Sequence, residues 1–269
     1  MAGLYVNDNG TWKLPKSVWI KNGTSTSGNT DWRVCKNVYI RSNGVWEELI
    51  QSVDISVSKS NFNLYEYLGS PTEPLSVIIN ISAFVEIFSQ DTSGNRTPAF
   101  TVGNFPSGST VVINNNGYIS GGGGFGGVGG TQVANAKNGT DGGDGIIKGS
   151  NNNFDITVVN TGTIAAGGGG GGGGVAVKDG SYVGTGGQGG QGAGITAFSR
   201  TQGQVGNSGS CVTKPPIAGG GTVCGGKGGD GGANGEDGEN KGGNGGKGGI
   251  PIGSGIEVAV SGTILGGVE

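Results

Sequence analysis

Six carboxylates stand in or beside the glycine runs of the second half of the chain: Asp141, Asp144, Asp230, Glu236, Asp237 and Glu239. Two of them held about 5–9 Å apart would suffice for glycoside hydrolysis, one protonating the leaving oxygen and the other acting as base or nucleophile. Most stand at the third position of a glycine triplet or in a loop, where a solvated charge is the simpler reading. Gly225 to Asp230 fits the opening of the calcium-binding nonapeptide, but Gly232 stands where that repeat needs a large aliphatic residue. Gly221 to Lys227 fits the opening of a phosphate loop, yet Gly228 replaces the Ser or Thr that would hold magnesium. No histidine is present, so His-based triads and most zinc or haem sites lack their ligand. No catalytic site, metal or cofactor is expected, and the chain reads as a non-enzyme.

What positions these residues is glycine. Gly167 to Gly174 are eight in a row, and 225–232, 242–249, 186–190 and 126–130 repeat Gly-Gly-X with Lys227, Asn244, Lys247, Gln188 or Val128 at X. A period of three fits neither an α-helix nor a strand, but it fits the extended left-handed helix with three residues per turn and about 3.1 Å rise. Every X then lies on one edge, and the bare edges let backbones approach and bond sideways. Collagen is excluded, because it has one glycine per triplet and abundant proline. A flexible linker is the competing reading, since glycine loses the most freedom on ordering. The register of X over several turns, and the alternation of glycine runs with strand-like segments, favour an ordered bundle.

Seven of the 65 glycines fall in the first hundred residues. The chain therefore divides into an ordinary N-terminal part and a glycine lattice. The net charge of −3 gives no basic footprint for nucleic acid. No apolar stretch approaches the roughly 18 residues of a membrane span, so membrane insertion is not expected. Met1 to Gly10 lacks a signal-peptide pattern, which implies synthesis in a cytoplasm. Cys35, Cys211 and Cys224 are an odd set, read as free thiols in such a chain. The alternative is that Cys211 and Cys224 close a short loop once outside the cell.

Residues 1–50 hold all four tryptophans, Trp12, Trp19, Trp32 and Trp46, and an internal repeat. Tyr5 to Trp12 aligns with Tyr39 to Trp46, each running through Asn-Gly, the strongest short hairpin signal. Two hairpins joined by a polar loop, Asn22 to Thr30, are expected. The rings either form the module's own core or face a partner protein, since Trp and Tyr are favoured anchors. Residues 51–119 read as a β-rich connector, with Val53, Ile55 and Val57 alternating; only Glu47 to Val53 suits a turn of helix. Residues 120–269 read as the lattice.

A second repeat runs through the last two blocks. Val111-Val112-Ile113, Ile156 to Val159 and Ile256 to Val260 each lead to a turn glycine and then to Ile119, Ile164 or Ile264. These strands are expected to cap one end of the bundle, with the three isoleucines packed there. Glycine runs passing outward and back would gather 131–138, 175–183, roughly 210–218 and 233–240 at the other end, with the reading least secure over 195–209. A rigid scaffold presenting several loops at one tip suits binding.

The hairpins, the stretch Phe100-Thr101-Val102-Gly103-Asn104-Phe105-Pro106, and Asn116-Gly117-Tyr118-Ile119-Ser120 running into Gly121–Gly130 together resemble the monomeric adhesin at the tip of the long tail fibre of T-even-like bacteriophages. The resemblance covers essentially the whole chain. It implies an all-β or irregular fold: an N-terminal β-hairpin attachment domain, then a sandwich of polyglycine II helices with distal loops. It implies a virion protein without cofactor, one adhesin on each trimeric fibre, binding a host outer-membrane protein or lipopolysaccharide. Fibre attachment then falls to Tyr5, Trp12, Trp19, Trp32, Tyr39 and Trp46. Receptor contact falls to Gln132, Val133, Asn135, Lys137, Val177, Lys178, Asp179, Tyr182, Val212, Lys214, Pro215, Asn234, Glu236 and Asp237. A structural or ice-binding glycine bundle and a glycan-degrading tailspike-like protein remain as alternatives.

Overall fold

The structure is a computed structural model. It describes the strands within residues 6–49 as backbone, and residues 51–266 apart from 91–96, 151–152, 190–191, 195–201, 217–219, 235 and 261. In the N-terminal segment β1 (Val6–Asp8) pairs with β2 (Thr11–Lys13), β3 (Trp19–Lys21) with β4 (Trp32–Val34), and β5 (Val38–Ser42) with β6 (Val45–Leu49), all antiparallel. There are thus three pairs rather than two, and β3–β4 flanks the segment expected to be a polar loop.

From Gln51 the chain winds in coils. The strands are β7 (Gln51–Ile55), β8 (Lys59–Ser60), β9 (Phe62–Asn63), β10 (Ser76–Ile81), β11 (Glu86–Phe88), β12 (Phe100–Thr101), β13 (Thr110–Asn115), β14 (Tyr118–Ser120), β15 (Ile146–Ile147), β16 (Asp155–Asn160) and β17 (Thr163–Ala165). Two short pairs follow, β18 (Val177–Asp179) with β19 (Tyr182–Gly184) and β20 (Cys211–Thr213) with β21 (Thr222–Cys224). The coil strands then resume as β22 (Glu257–Val260) and β23 (Thr263–Leu265). Strands β7, β10, β13, β16 and β22 make one parallel sheet, and β8, β11, β14, β17 and β23 a second. The third sheet is β9, β12 and β15, extended by a parallel bridge from Ile146 to Ile252.

Alternation of β-branched and polar residues explains the winding. In β10 the pattern Ser-Val-Ile-Ile-Asn-Ile buries Val77, Ile79 and Ile81 and leaves the others partly exposed. Equivalent positions stack between coils into ladders: Ile87, Ile119, Ile164 and Ile264 in one sheet, Phe62, Phe100, Ile146 and Ile252 in another. Each fully buried side chain of this size stabilises by about 1.5–3 kcal/mol. A polar rung sits beside them: Asn115 Nδ2 donates to Asn160 Oδ1 at 2.8 Å, and both residues are buried.

Both five-stranded sheets contain strands from either side of residue 119, so the expected connector and the strands of the later block share one set of coils. The turn of helix expected over Glu47 to Val53 is strand instead, in β6 and β7. The helical turn present is α1 (Leu64–Tyr67), whose first turn is capped by Asn63 Oδ1 accepting from Glu66 N.

Two coils are interrupted by glycine-rich excursions. After β14 the chain leaves as a first rod, 121–130, and returns as a second, 137–145. After β17 it makes further passes at 167–174, 185–189 with 192–194, 203–210, 225–232, 236–239 and 242–250. The pass over 203–210 shows that a further rod exists in the later part of the stretch left open by the sequence, with Asn207 and Ser210 donating to Gln188 and Thr185 carbonyls; residues 195–201 lie outside the described residues.

Within these rods every third residue faces the same neighbour. The N–H groups of Gly121, Gly124, Gly127 and Gly130 donate to the carbonyls of Ala165, Gly168, Gly171 and Gly174, so the first and third rods run parallel. Lys137, Thr140 and Gly143 donate to Val128, Phe125 and Gly122, so the second rod runs antiparallel to the first. The third rod is central, with Gly167–Gly174 all buried. It exchanges backbone bonds with the first, second, fourth, sixth, seventh and eighth rods. Successive donors face different neighbours: Gly167 N bonds to the second rod, Gly168 N to the fourth and Gly169 N to the seventh. A Cβ on Gly170 would stand 2.0 Å from the Phe125 carbonyl oxygen, so packing at this spacing excludes a side chain.

Candidate functional site

The rods alternate in direction, which decides where their connections fall. Segments 131–136, 175–184 and 211–216 with 220–224, and the turn at 240–242, gather at the end remote from the coils. They touch: a Cβ on Gly242 would lie 2.6 Å from Val175 Cγ1 and 3.0 Å from Ala136 Cβ. The β18–β19 and β20–β21 pairs lie side by side. Thr185 N donates to Ser210 Oγ at 2.9 Å, and Lys214 Nζ meets Asp179 Oδ2 at 2.5 Å.

Most of the residues expected to form a contact surface stand on this tip. Gln132, Val133, Asn135, Val177, Lys178, Asp179, Val212 and Pro215 are exposed, Val133 at 94%. Tyr182 is half-buried on β19. Lys137 is exposed but already belongs to the second rod, its N–H bonded to the Val128 carbonyl. Lys214 is half-buried in its ion pair, which makes it a link between the two β pairs as much as a surface group.

Three expected residues lie elsewhere. Asn234 is buried at the coil end, where its Nδ2 donates to the Ala166 carbonyl. The sixth rod runs back toward the coils, so the connection that follows it cannot reach the tip. Glu236 and Asp237 begin the short seventh rod near the same end: the Glu236 carbonyl accepts from Gly169 N, and Asp237 Oδ1 from Gly248 N. Only the turn that ends this rod, at 240–242, arrives at the tip. Of the aromatic residues expected to attach to a partner, Trp12, Trp19, Trp32, Tyr39 and Trp46 lie in β2, β3, β4, β5 and β6, and Tyr5 lies outside the described residues.

The carboxylates read as solvated charges have structural partners. Asn138, Asp141 and Asp144, at three-residue intervals, accept from the N–H groups of Asn244, Lys247 and Ile250 at 2.9, 2.7 and 2.8 Å. Asp230 accepts from Gly206 N, and Glu239 from Asp230 N. Side chains at X thus occupy donor rows of outer rods. A hydrogen bond from Lys227, then one from Gly206 N, lowers the Asp230 pKa; Lys241 and the Asp230 N–H do the same for Glu239. Glu239 in turn raises Lys241. Among the described residues no cluster of three potential metal ligands occurs.

The cysteines also depart from expectation. Cys211 and Cys224 face each other across β20 and β21 and are disulfide-bonded, S–S 2.07 Å. The antiparallel register brings them together, which spacing along the chain does not reveal. Cys35 lies outside the described residues.

Comparison with known proteins places these features. The crystal structure of the gp37-gp38 adhesin tip complex of the bacteriophage S16 long tail fiber contains a chain 22% identical to this one. The match covers 82% of this chain and 83% of that one, with a TM-score of 0.48. The curated proteins contain no match. The sequence profile of the phage tail fibre adhesin Gp38 matches residues 51–269, which takes in all the coils, every glycine rod and the whole tip. On that match over most of its length, this chain belongs to the phage tail fibre adhesin Gp38 family.

Proposed function

We propose that this tail fibre adhesin sits at the distal end of a trimeric long tail fibre, one copy per fibre, and grips the host through its tip. The observation that carries the reading is the meeting of three side-chain-bearing segments and one turn at the end of the rods remote from the coils. The partner is a host outer-membrane protein or lipopolysaccharide. Gln132, Val133, Asn135, Val177, Lys178, Tyr182, Val212 and Pro215 are the contact residues. Residues 1–50 form the fibre-attachment module, with Trp12, Trp19, Trp32 and Trp46 as anchors, residues 51–119 begin the coils, and 120–269 carry the tip.

We infer further that the rods are polyglycine II helices packed as a sandwich. The three-residue bonding interval and six-neighboured central rod support this. Such a lattice derives its rigidity from main-chain bonds, each worth about 0.5–1.5 kcal/mol net, so tip side chains are free to vary with the host.

Adsorption of labelled protein to host cells lacking individual porins, transporters or lipopolysaccharide sugars tests the function. Loss of adsorption on one deletion strain identifies the receptor. Unchanged adsorption to every strain, or none even to the parental host, would count against receptor binding through the tip.

A further inference from the structure

We propose that the Cys211–Cys224 disulfide is a redox latch on the tip: the segment between them is synthesised unlatched and locks after release from the host. This rests on the reading of the tip as the receptor-binding end.

The bond joins the first residue of β20 to the last of β21, at the point where this segment leaves the lattice. Below it, Ser210 and Gly225 are held by backbone bonds to the fourth and fifth rods, at Thr185 and Ser210. Above it, β20 and β21 are joined by their own ladder at Val212–Val223 and Thr213–Thr222, then by the Lys214 N–H to the Gly221 carbonyl at 2.8 Å and the Gly220 N–H to the Pro215 carbonyl at 3.2 Å, while the Lys214–Asp179 ion pair ties them to β18. Exposed ion pairs of this kind are weak and screened by salt. The disulfide is the one covalent link among these bonds and keeps β20 in register on β21 when the exposed ladder opens, and that register holds Lys214 against Asp179. Closing a loop across 13 positions removes much of its unlatched freedom. Both cysteines are exposed, so oxidants and reductants reach them.

The timing follows from where a phage chain is made. Host cytoplasm keeps thiols reduced, and disulfides persist in oxidising surroundings. On release, the two thiols lose two protons and two electrons to dioxygen, giving the disulfide and hydrogen peroxide. The lattice contains no cysteine among its bonds, so the rods assemble before latching and stay intact without it. The adhesin thus folds inside the cell with a loosened tip and tightens outside it.

The experiment uses the full chain, oxidised in air or reduced with dithiothreitol, together with the Cys211→Ser/Cys224→Ser double variant. Thiol titration fixes the redox state of each sample. Hydrogen exchange at Val212, Lys214, Val223 and Cys224, and adsorption to host cells, are the readouts. Reduction is expected to speed exchange at these amides at least tenfold while Gly167–Gly174 stay protected, and to lower adsorption several-fold. The double variant should behave as the reduced protein whether or not dithiothreitol is present. Equal exchange and equal adsorption in the two redox states, or three free thiols per chain in air where no more than the Cys35 thiol should remain, would overturn the latch. Fast exchange on reduction with no adsorption in either state would instead sink the receptor-binding reading and leave the latch standing.

Discussion

The Asp141 carboxylate accepts the backbone N–H of Lys247 at 2.7 Å, across 106 positions of sequence. Gly142 N returns a bond to the Lys247 carbonyl, so the second and eighth rods are joined by backbone on one side and by a side chain on the other. Asn138 and Asp144 repeat the device one turn away in each direction. On the eighth rod two of the three donor rows meet side chains rather than backbone: Asn138, Asp141 and Asp144 take one row, and Asn240 and Asp237 the other. A short carboxylate or carboxamide at X supplies the acceptor. Asp141→Ala is expected to cost about 1 kcal/mol, a fall in Tm of roughly 2–4 °C, whereas Asp141→Asn retains the acceptor and most of the stability. Differential scanning calorimetry of the two variants checks this; equal losses would refute it.

Glycine is required in the rods for a different reason from the one that applies at the tip. A Cβ on Gly170 meets backbone at 2.0 Å, while one on Gly180 meets nothing within 4 Å and Gly180 has φ +60. Gly170→Val should cost upward of about 4 kcal/mol, the scale reserved for severe core disruption. Gly180→Asn should stay within about 0.5 kcal/mol, because asparagine tolerates the left-handed region. Chemical denaturation of both proteins measures the contrast, and similar midpoints would contradict the close packing.

Inside the coils, Asn115 and Asn160 form a buried amide rung, with Asn115 Oδ1 also accepting from Gly117 N. Truncating one partner leaves the other unsatisfied. Asn115→Ala is expected to cost about 2–3 kcal/mol, more than a typical net hydrogen bond. A double-mutant cycle with Asn160→Ala should show coupling; strict additivity would mean that the rung is energetically idle.

Acid and base should erode the lattice at opposite edges. Asp230 has a lowered pKa, from an ordinary 3.8, so its contribution is present above that value and is lost as pH falls through the depressed folded value. Lys241 is raised from 10.5 by Glu239, so its contribution is full below 10.5 and is lost as pH rises through the elevated folded value. Both groups are exposed, so the effects are small and salt-dependent. Melting followed across pH should show a plateau between these limits, and Asp230→Asn should flatten part of the acid edge. An acid edge unchanged by Asp230→Asn would remove the residue from the account.

At the tip, Lys178→Ala with Tyr182→Ala should lower host adsorption at least tenfold while shifting Tm by no more than about 2 °C, since surface changes away from buried features seldom exceed 0.5 kcal/mol. Lys214→Ala should lower adsorption less and slacken the neighbouring β pair, because Lys214 pairs with Asp179. Adsorption assays run beside melting curves separate the two roles. A melting loss that outruns the adsorption loss for the Lys178/Tyr182 pair would argue against a contact surface.

Much of this was legible in the residues. The Ile119, Ile164 and Ile264 repeat was readable because a strand followed by a turn glycine recurs in sequence, and those isoleucines do stack in one sheet. Ile87, the rung before them, was not grouped with them, because no glycine run follows it to announce the repeat. The tip segments 131–136 and 175–184 were readable from chain direction. Asn234 falls at the coil end because the sixth rod returns there before a short seventh rod sets out, and that pass, 236–239, holds a single glycine, Gly238, and so is not announced by a glycine run.

The sequence by itself pointed to the rods, since the three-residue period of Gly-Gly-X fits neither an α-helix nor a strand. It also determined which positions must remain bare. Tertiary structure alone decided which rod lies beside which, that Asp141 reaches Lys247 and that Cys211 meets Cys224. Main-chain N–H and carbonyl groups are the same at every glycine, so a rod carries no address for its neighbour. The address comes from the side-chain ladders of the coils, which fix where each excursion leaves and returns, and those ladders exist only once the chain has wound.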